Sequence, residues 1–395
     1  MNNTTSSERL HIAFFGCRNA GKSSLVNAFT NQQLSVVSDV KGTTTDPVKK
    51  AMELLPIGPV VITDTAGLDD EGALGELRIT KTLEVLGRTD IAVLVIDSTV
   101  GINNYDKKLI KELEERKLPY VLVYNKSDLS SENTEEFALK DGTSLLVSAK
   151  TGQGVNELKE VLGKIANKNK KEKYIIRDKL HTGDIVILVI PIDESAPKGR
   201  IILPQQNVLR ECLDAHVVSV CCQVEELSGI IAKVNPKLVI TDSQVFNKVK
   251  DIVPQNVLLT SFSILMANYK GKLNSLLNGV STLSKLQNND TVLISEACTH
   301  HRQCNDIGTV KLPKWISDFT GKNINFEFTQ GGEFPHTLNK YKLIIHCGGC
   351  MINEAEMTTR QNRAKEQNIP MINYGMAIAY MNGILERALE IFDNL

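Results

Sequence analysis

From Leu10 to about Ile165, short runs rich in Val, Ile and Leu alternate with longer amphipathic stretches. That alternation predicts beta-alpha units on a mostly parallel sheet. The expected strands are His11 to Phe15, Val60 to Thr63, Ile91 to Asp97, Tyr120 to Tyr124 and Ser144 to Val147, with helical patterns at Asp106 to Lys117 and Gly154 to Ala166. Between Lys164 and Lys179 apolar residues thin out while Lys168, Lys170, Lys171 and Lys173 accumulate, which reads as a solvated linker. Beyond it, Asp184 to Ile190, Val217 to Cys221 and Leu238 to Thr241 read as strands of a second alternating region reaching about Pro254. The last region opens at Phe262 to Tyr269, continues through a helical Leu273 to Leu286 and the strands Thr291 to Ser295 and Leu343 to Ile345, and closes on a helix from about Gly375 to Phe392. The expected organisation is therefore three α/β domains, at 1–168, 175–257 and 258–395, with no internal repeat visible in the sequence.

Composition narrows the class without naming a function. A chain of 395 residues is too long for one ordinary core. Apolar residues at 42%, charged residues at 23% and a formal net charge of -1 are those of a soluble globular protein, and they give no reason to expect a nucleic-acid partner. The polar first ten residues do not resemble a signal peptide, and no apolar window is long enough to span a bilayer, so no membrane association and a cytoplasmic location are expected. In that compartment thiols stay reduced. The eight cysteines are then expected to be buried, reactive or metal-bound rather than paired.

The first candidate chemistry lies after the first strand. Gly16-Cys17-Arg18-Asn19-Ala20-Gly21-Lys22-Ser23 fits the phosphate-binding pattern GxxxxGK[ST] and runs through Ser24 into a helix. Glycines let the backbone amides curl toward phosphates, the helix start favours negative charge, Lys22 neutralises the beta and gamma phosphates, and the Ser23 hydroxyl is a magnesium ligand. Asp64-Thr65-Ala66-Gly67 supplies a carboxylate to hold magnesium through water and a Gly67 amide for the gamma phosphate. Asn125-Lys126-Ser127-Asp128 offers a carboxylate that accepts both the N1 hydrogen and the exocyclic amine of guanine, a pattern adenine does not present. Ser148-Ala149-Lys150 closes the base pocket, with the Ala149 amide facing the guanine oxygen.

In this order the strings resemble the GTPases of the Era and MnmE type, over about the first 165 residues. The resemblance implies a Ras-like G domain, a mostly parallel sheet with helices on both faces, that binds GTP or GDP with magnesium. Gly42-Thr43-Thr44-Thr45-Asp46 looks like that group's switch I, so Thr44 would meet magnesium when GTP is bound. Asn19 resembles the asparagine that holds a potassium ion beside the phosphates in some members. Leu68 stands where Ras-like enzymes place the glutamine that orients water, which implies slow, potassium-stimulated hydrolysis; Asp69, Asp70 and Glu71 read as a solvated acidic turn.

The second constellation is Cys298-Thr299-His300 and, after 45 intervening residues, His346-Cys347-Gly348-Gly349-Cys350. Both halves follow strand-like runs, so their side chains are expected at strand ends. Three readings compete: a structural zinc site of three Cys and one His, an iron-sulfur cluster with an incompletely held iron, and a thiol redox pair at Cys347 and Cys350. Composition alone leaves zinc ahead.

The CxH, gap and HCxxC pattern, behind a G domain, resembles the HydF family of GTPase maturation factors of di-iron hydrogenases. The stretch from Pro191 to Arg200 and the nearby Leu203-Pro204-Gln205 also look like that family's middle segment. The resemblance implies a homodimer-forming middle domain and a C-terminal domain carrying a 4Fe-4S cluster on Cys298, Cys347 and Cys350, with an exchangeable fourth iron. His300 or His346 would approach that iron or support the ligands, or a carboxylate such as Glu296 or Asp306 would take the place. It further implies a scaffold and carrier that receives a di-iron precursor made with two radical SAM enzymes and passes it to the apo-hydrogenase. The alternative, from another class, is a regulatory or ribosome-associated GTPase with a structural zinc module.

Overall fold

The computed structural model describes residues 5–32, 47–67, 73–129, 144–169, 172–192, 201–298 and 306–392, the side chains of 73–79 and 169 apart. By its packing the chain divides into two compact units, Met1–Lys171 and Glu172–Leu395.

The first unit runs β1 (Leu10–Phe15), α1 (Lys22–Thr30), β2 (Val48–Leu54), β3 (Gly58–Asp64), α2 (Ala73–Leu86), β4 (Ile91–Asp97), α3 (Asn104–Glu115), β5 (Tyr120–Asn125), β6 (Ser144–Leu146) and α4 (Val155–Asn169). Its six strands form one sheet in the order β2-β3-β1-β4-β5-β6, parallel except where β2 runs against β3. The central strands are unbroken apolar runs because helices cover both faces. In β4, Ile91, Val93 and Val95 share a core with Leu25 and Phe29 of α1 and Leu158 and Leu162 of α4, while Ala92, Leu94 and Ile96 share the opposite one with Leu109 and Leu113 of α3. Edge strand β2 has no such signature: Lys49, Lys50, Ala51 and Glu53 are exposed, and this is why the hydrophobic pattern does not mark it.

The second unit runs β7 (Ile185–Val189), α5 (Leu203–Asp214), β8 (Val218–Cys222), α6 (Val224–Val234), β9 (Leu238–Thr241), α7 (Phe246–Ile252), β10 (Leu258–Ser261), α8 (Phe262–Lys270), α9 (Leu273–Val280), β11 (Thr291–Glu296), α10 (Leu312–Thr320), β12 (Asn325–Gln330), β13 (Leu343–His346), α11 (Glu354–Glu366), β14 (Met371–Asn373), α12 (Tyr374–Met381) and α13 (Leu385–Leu389). It contains two four-stranded sheets, β10-β9-β7-β8 and β12-β11-β13-β14. Every pairing in both is parallel. Read from opposite ends the two orders are the same: the first strand sits between the second and the third, with the fourth outside. One continuous apolar core serves both sheets. The expected closing helix is two helices, because Gly383 takes a left-handed φ of +69° between them.

Candidate nucleotide and metal sites

In the first unit the phosphate loop is shaped by its glycines. Gly16 has φ +143° and Gly21 φ +84°, and a Cβ at either would collide, with the Val95 carbonyl in one case and the Asn125 amide in the other. Gly67 lies just as close to the loop, its missing Cβ 3.0 Å from the Arg18 backbone, so the Asp64-Thr65-Ala66-Gly67 turn is brought against Gly16 to Gly21. Parallel pairing of β1 with β3 and β4 puts these turns at one edge of the sheet, where open α/β sheets bind ligands. Thr65 fixes the second turn by donating its hydroxyl to the Phe14 carbonyl at 2.7 Å.

The charged groups are arranged for a polyphosphate and a cation. Lys22 is buried at the start of α1 and donates to the Cys17 carbonyl at 2.7 Å. Ser23 donates its hydroxyl to Asp64 Oδ2 at 2.7 Å. Asp64 Oδ1 is buried and, among the described residues, meets no hydrogen-bond partner. A buried carboxylate oxygen lacking a donor is costly, and a magnesium-bound water would satisfy it, so the pair fits the expected cation. Ala20 is buried and Asn19 exposed, the latter in a left-handed conformation with φ +58°; Ser24 is half-buried in the first turn of α1. Cys17 is tied sideways, its sulfur accepting from the Asn103 amide at 3.1 Å.

Asn125 joins this loop to the base loop. Its Nδ2 donates to the Ala20 carbonyl at 2.9 Å and its Oδ1 accepts from the Ala149 amide at 3.0 Å. The Ala149 amide, expected to face guanine, is thus spent on Asn125 in this structure. Lys126, with φ +65°, pairs with Asp97 at 2.5 Å. Burial pushes the Asp97 carboxyl up, but hydrogen bonds from Lys126 and Thr99 outweigh it and hold the group below the ordinary carboxylate range. Ser148, fully buried, donates its hydroxyl to Asp128 Oδ1 at 2.6 Å, and Asp128 and Lys150 lie exposed at the rim. The expected Thr44, with Thr43, Thr45, Leu68, Asp69, Asp70 and Glu71, lies outside the described residues.

In the second unit the cysteines come from strands 1 and 3 of their sheet. Cys298 follows β11 and Cys347 follows β13, and these strands are neighbours with Ser295 beside His346. In the order β12-β11-β13-β14 the chain changes direction between these two strands, which makes the crevice beyond their ends a topological switch point. The Cys347 sulfur accepts from the Ala297 amide at 3.1 Å and from the Gly349 amide at 3.4 Å. Burial raises the Cys347 thiol, against those two bonds. Cys350 is pushed up to about 12, by burial and then by neighbouring Cys347, with Lys270 acting the other way. Two half-buried thiols, one of them receiving two backbone N–H bonds, are suited to a soft metal centre, which deprotonates its thiolates outright. Gly349, with φ +69°, turns the loop between them over Met357. Among the described residues no three Cys, His, Asp or Glu side chains gather around a single metal ion. A cubane asks for something else, because each thiolate binds a different iron.

His346 is fully engaged. Arginine carries only donors, so the 3.0 Å contact of Arg360 Nη1 makes His346 Nε2 the acceptor. Its Nδ1 then carries the proton and donates to the Cys347 carbonyl at 2.8 Å. Burial, reinforced by Arg360, lowers the imidazole to about 3, so it is neutral. No lone pair is left for a metal in this arrangement. Of the two carboxylates, Asp306 Oδ2 accepts from the Thr309 amide and hydroxyl, both at 2.8 Å. Glu296 is buried close to Tyr374, whose hydroxyl has no hydrogen-bond partner among the described residues and is raised well above its ordinary range by burial, then by Glu296, Cys347, Asp306 and Cys298 around it. His300 and Cys304 lie outside the described residues. None of the described cysteines is in a disulfide.

Sequence reasoning missed Arg360, Lys270 and Tyr374. Lys270 and Tyr374 carried no local signal; α11, which holds Arg360, is announced by Asn353-x-x-Glu356, an N-terminal cap signature, and the Asn353 side chain accepts from the Glu356 amide at 3.1 Å.

Compared with known families, residues 11–126 match the 50S ribosome-binding GTPase model, residues 175–271 the hydrogen maturase F dimerization domain and residues 274–391 the hydrogen maturase F tetramerization domain. The tRNA modification GTPase MnmE of Dechloromonas aromatica is 33% identical over 175 residues, 44% of this chain and 38% of that protein. GTPase Der of Kosmotoga olearia is 33% identical over 176 residues, 41% of this chain and 40% of its own. The chain thus spans about two fifths of the length of these curated relatives. The solved structure of Era from Aquifex aeolicus aligns with a TM-score of 0.37 at 17% identity, covering 54% of this chain and 93% of that one.

Proposed function

We infer function from a family premise: the chain belongs to the hydrogen maturase F family, whose two named domains follow a GTPase domain here. We propose that it is the GTP-hydrolysing scaffold and carrier of di-iron hydrogenase maturation. The observation that carries this reading is the pair of cysteine-bearing strand ends, β11 and β13, set side by side at a switch point in the unit that carries the maturase domains.

In the nucleotide site, Lys22 would leave the Cys17 carbonyl for the beta and gamma phosphates, and Asp128, braced by Ser148, would accept from guanine. Ser23 and Thr44 would hold magnesium and Asp64 its water; the ion supplies positive charge between the phosphates. The Gly67 amide would meet the gamma phosphate, and Asn19 would bind potassium. With no glutamine after Gly67, hydrolysis is slow and depends on potassium or a partner.

In the second unit, Cys298, Cys347 and Cys350 would be the thiolate ligands of a 4Fe-4S cluster whose remaining iron takes the cargo, a di-iron precursor. Partners are a second copy of the chain, two radical SAM maturases and the apo-hydrogenase, in the cytoplasm. The test is anaerobic: chain reconstituted with iron and sulfide, loaded with precursor and mixed with purified apo-hydrogenase should yield hydrogen evolution. Stoichiometric zinc in every preparation, with no iron uptake, would defeat the proposal in favour of a zinc-stabilised regulatory GTPase.

A further inference from the structure

Arg360, on α11, lies beneath the C-terminal ends of β11 and β13 and is 2% exposed. A buried guanidinium is costly unless its donors are met; here both terminal nitrogens have specific partners, while Nε meets none among the described residues. Its Nη2 donates to the Gly331 carbonyl at 2.6 Å and pairs with Glu356, one turn earlier on the same helix. Its Nη1 donates to His346 Nε2 at 3.0 Å and reaches Ser295 Oγ at 3.5 Å. The Phe334 ring covers its face, 5.3 Å from centroid to guanidinium carbon.

Two of these contacts lead directly to the cysteines. His346 passes the hold on through Nδ1 to the Cys347 carbonyl at 2.8 Å. Gly331, which takes one arm of the fork on its carbonyl, gives its own amide to the Cys298 carbonyl at 3.3 Å. One planar group is therefore linked, through Gly331 and His346, to the backbone of both motif halves, which lie far apart along the chain. Ser295, on β11 three residues before Cys298, ties in the neighbouring strand by accepting from the Thr329 hydroxyl of β12 at 3.0 Å.

We propose that Arg360 is the positioning residue of the thiol site, setting the spacing of Cys298 and Cys347 through Gly331 and His346. The histidine of the HCxxC motif is then a strut, held by the arginine on one nitrogen and holding the cysteine backbone with the other. The inference rests on reading Cys298, Cys347 and Cys350 as metal ligands, and it assigns to a helix outside the motif the task of holding them in register. A lysine cannot replace the fork, since a single ammonium lacks the planar spread that spans Gly331 and His346.

The experiment compares full-length Arg360→Lys with Arg387→Lys. Arg387 is also buried and forks onto backbone carbonyls, those of Val253, Pro254 and Val257 at 2.9, 2.7 and 3.3 Å, on α13 and not among the groups that hold the cysteines. Each protein is read twice: metal-free, by the alkylation rate of each cysteine in mass spectrometry, and after anaerobic reconstitution, by iron retention against a chelator and by the electron paramagnetic resonance spectrum of the reduced cluster. Arg360→Lys is expected to raise Cys347 alkylation several-fold, to weaken iron retention by about 10- to 100-fold and to alter the spectrum. Arg387→Lys should lose thermal stability yet keep the wild-type thiol pattern and spectrum. Wild-type alkylation and spectrum in Arg360→Lys, or the same changes in both variants, would overturn the assignment. If the wild type takes up no iron, the cluster reading fails, and the alkylation pattern alone decides the strut. Should Arg360→Lys not fold, His346→Gln, which keeps an acceptor for Arg360 and cuts the Cys347 arm, is read in the same way.

Discussion

At the residue scale, the nucleotide site hangs on Asn125, whose two amide atoms bridge the phosphate loop and the base loop. Asn125→Ala removes both bonds and leaves the Ala20 carbonyl, deep in the structure, without its partner. The expected cost is about 1–3 kcal/mol of stability in the first unit, together with a drop of about tenfold or more in guanine nucleotide affinity. Thermal unfolding and titration with a fluorescent GTP analogue check both. Asp97 makes a separate, pH-linked contribution. Its carboxyl is held below the ordinary range in the folded state, so the stability it adds is fully present above the unfolded value of about 3.9 and disappears as pH falls through the folded value. Melting curves of the wild type and Asp97→Asn should therefore differ at neutral pH and converge below about pH 4. A gap that instead widened in acid would assign the wrong sign to the Lys126 pair. These residues were legible because each motif is a short local string: Lys22, Ser23, Asp64, Asn125 and Asp128 announce themselves within four or five positions. Arg360 was not, since its meaning comes from Gly331, His346 and Ser295, none within a turn of it.

At the element scale, the buried strands β1, β4 and β5 were readable because helices on both faces demand unbroken apolar runs, whereas β2, with Lys49, Lys50 and Glu53 exposed, is a strand only because β3 offers it an edge. The same limit hid β14, whose three residues, Met371–Asn373, are too few to show a period. The loop after β13 illustrates how one glycine serves an element. Gly349 has φ +69° and its missing Cβ would meet Met357, whereas Gly321, closing α10 at φ +63°, has nothing near that position. Gly321→Ala should therefore cost only the left-handed backbone strain, about 1–2 kcal/mol. Gly349→Ala carries the same strain and a collision, so it should melt lower than Gly321→Ala and retain less iron after reconstitution. Equal melting and equal iron in the two variants would show that the flexible end of the Met357 side chain swings aside at no cost.

At the scale of the whole molecule, the two sheets of the second unit share one strand order, a repeat the sequence does not show, because topology is kept by where strands pair and not by which residues they use. The switch point of the second sheet carries Cys298 and Cys347; that of the first unit's sheet carries the nucleotide loops. The two apolar cores of the first unit and the one core of the second are built from separate residues, and the residues placed in each site are drawn from within one unit. Chemistry in the two should accordingly be separable by single substitutions. Lys22→Ala removes the ammonium proposed for the phosphates and should lower GTP hydrolysis by about 10²- to 10³-fold, while iron per chain after reconstitution stays at the wild-type value. Cys347→Ser should do the reverse, losing iron while phosphate release from GTP continues at the wild-type rate, because none of the placed nucleotide contacts comes from residues 172–395. Iron analysis and phosphate release, measured on both variants in one preparation series, decide between two modules and one shared centre. Loss of both activities in either variant would mean that the nucleotide and the thiol site are built jointly, and the protein would then have to be read as a single device in which bound GTP is part of the metal site itself.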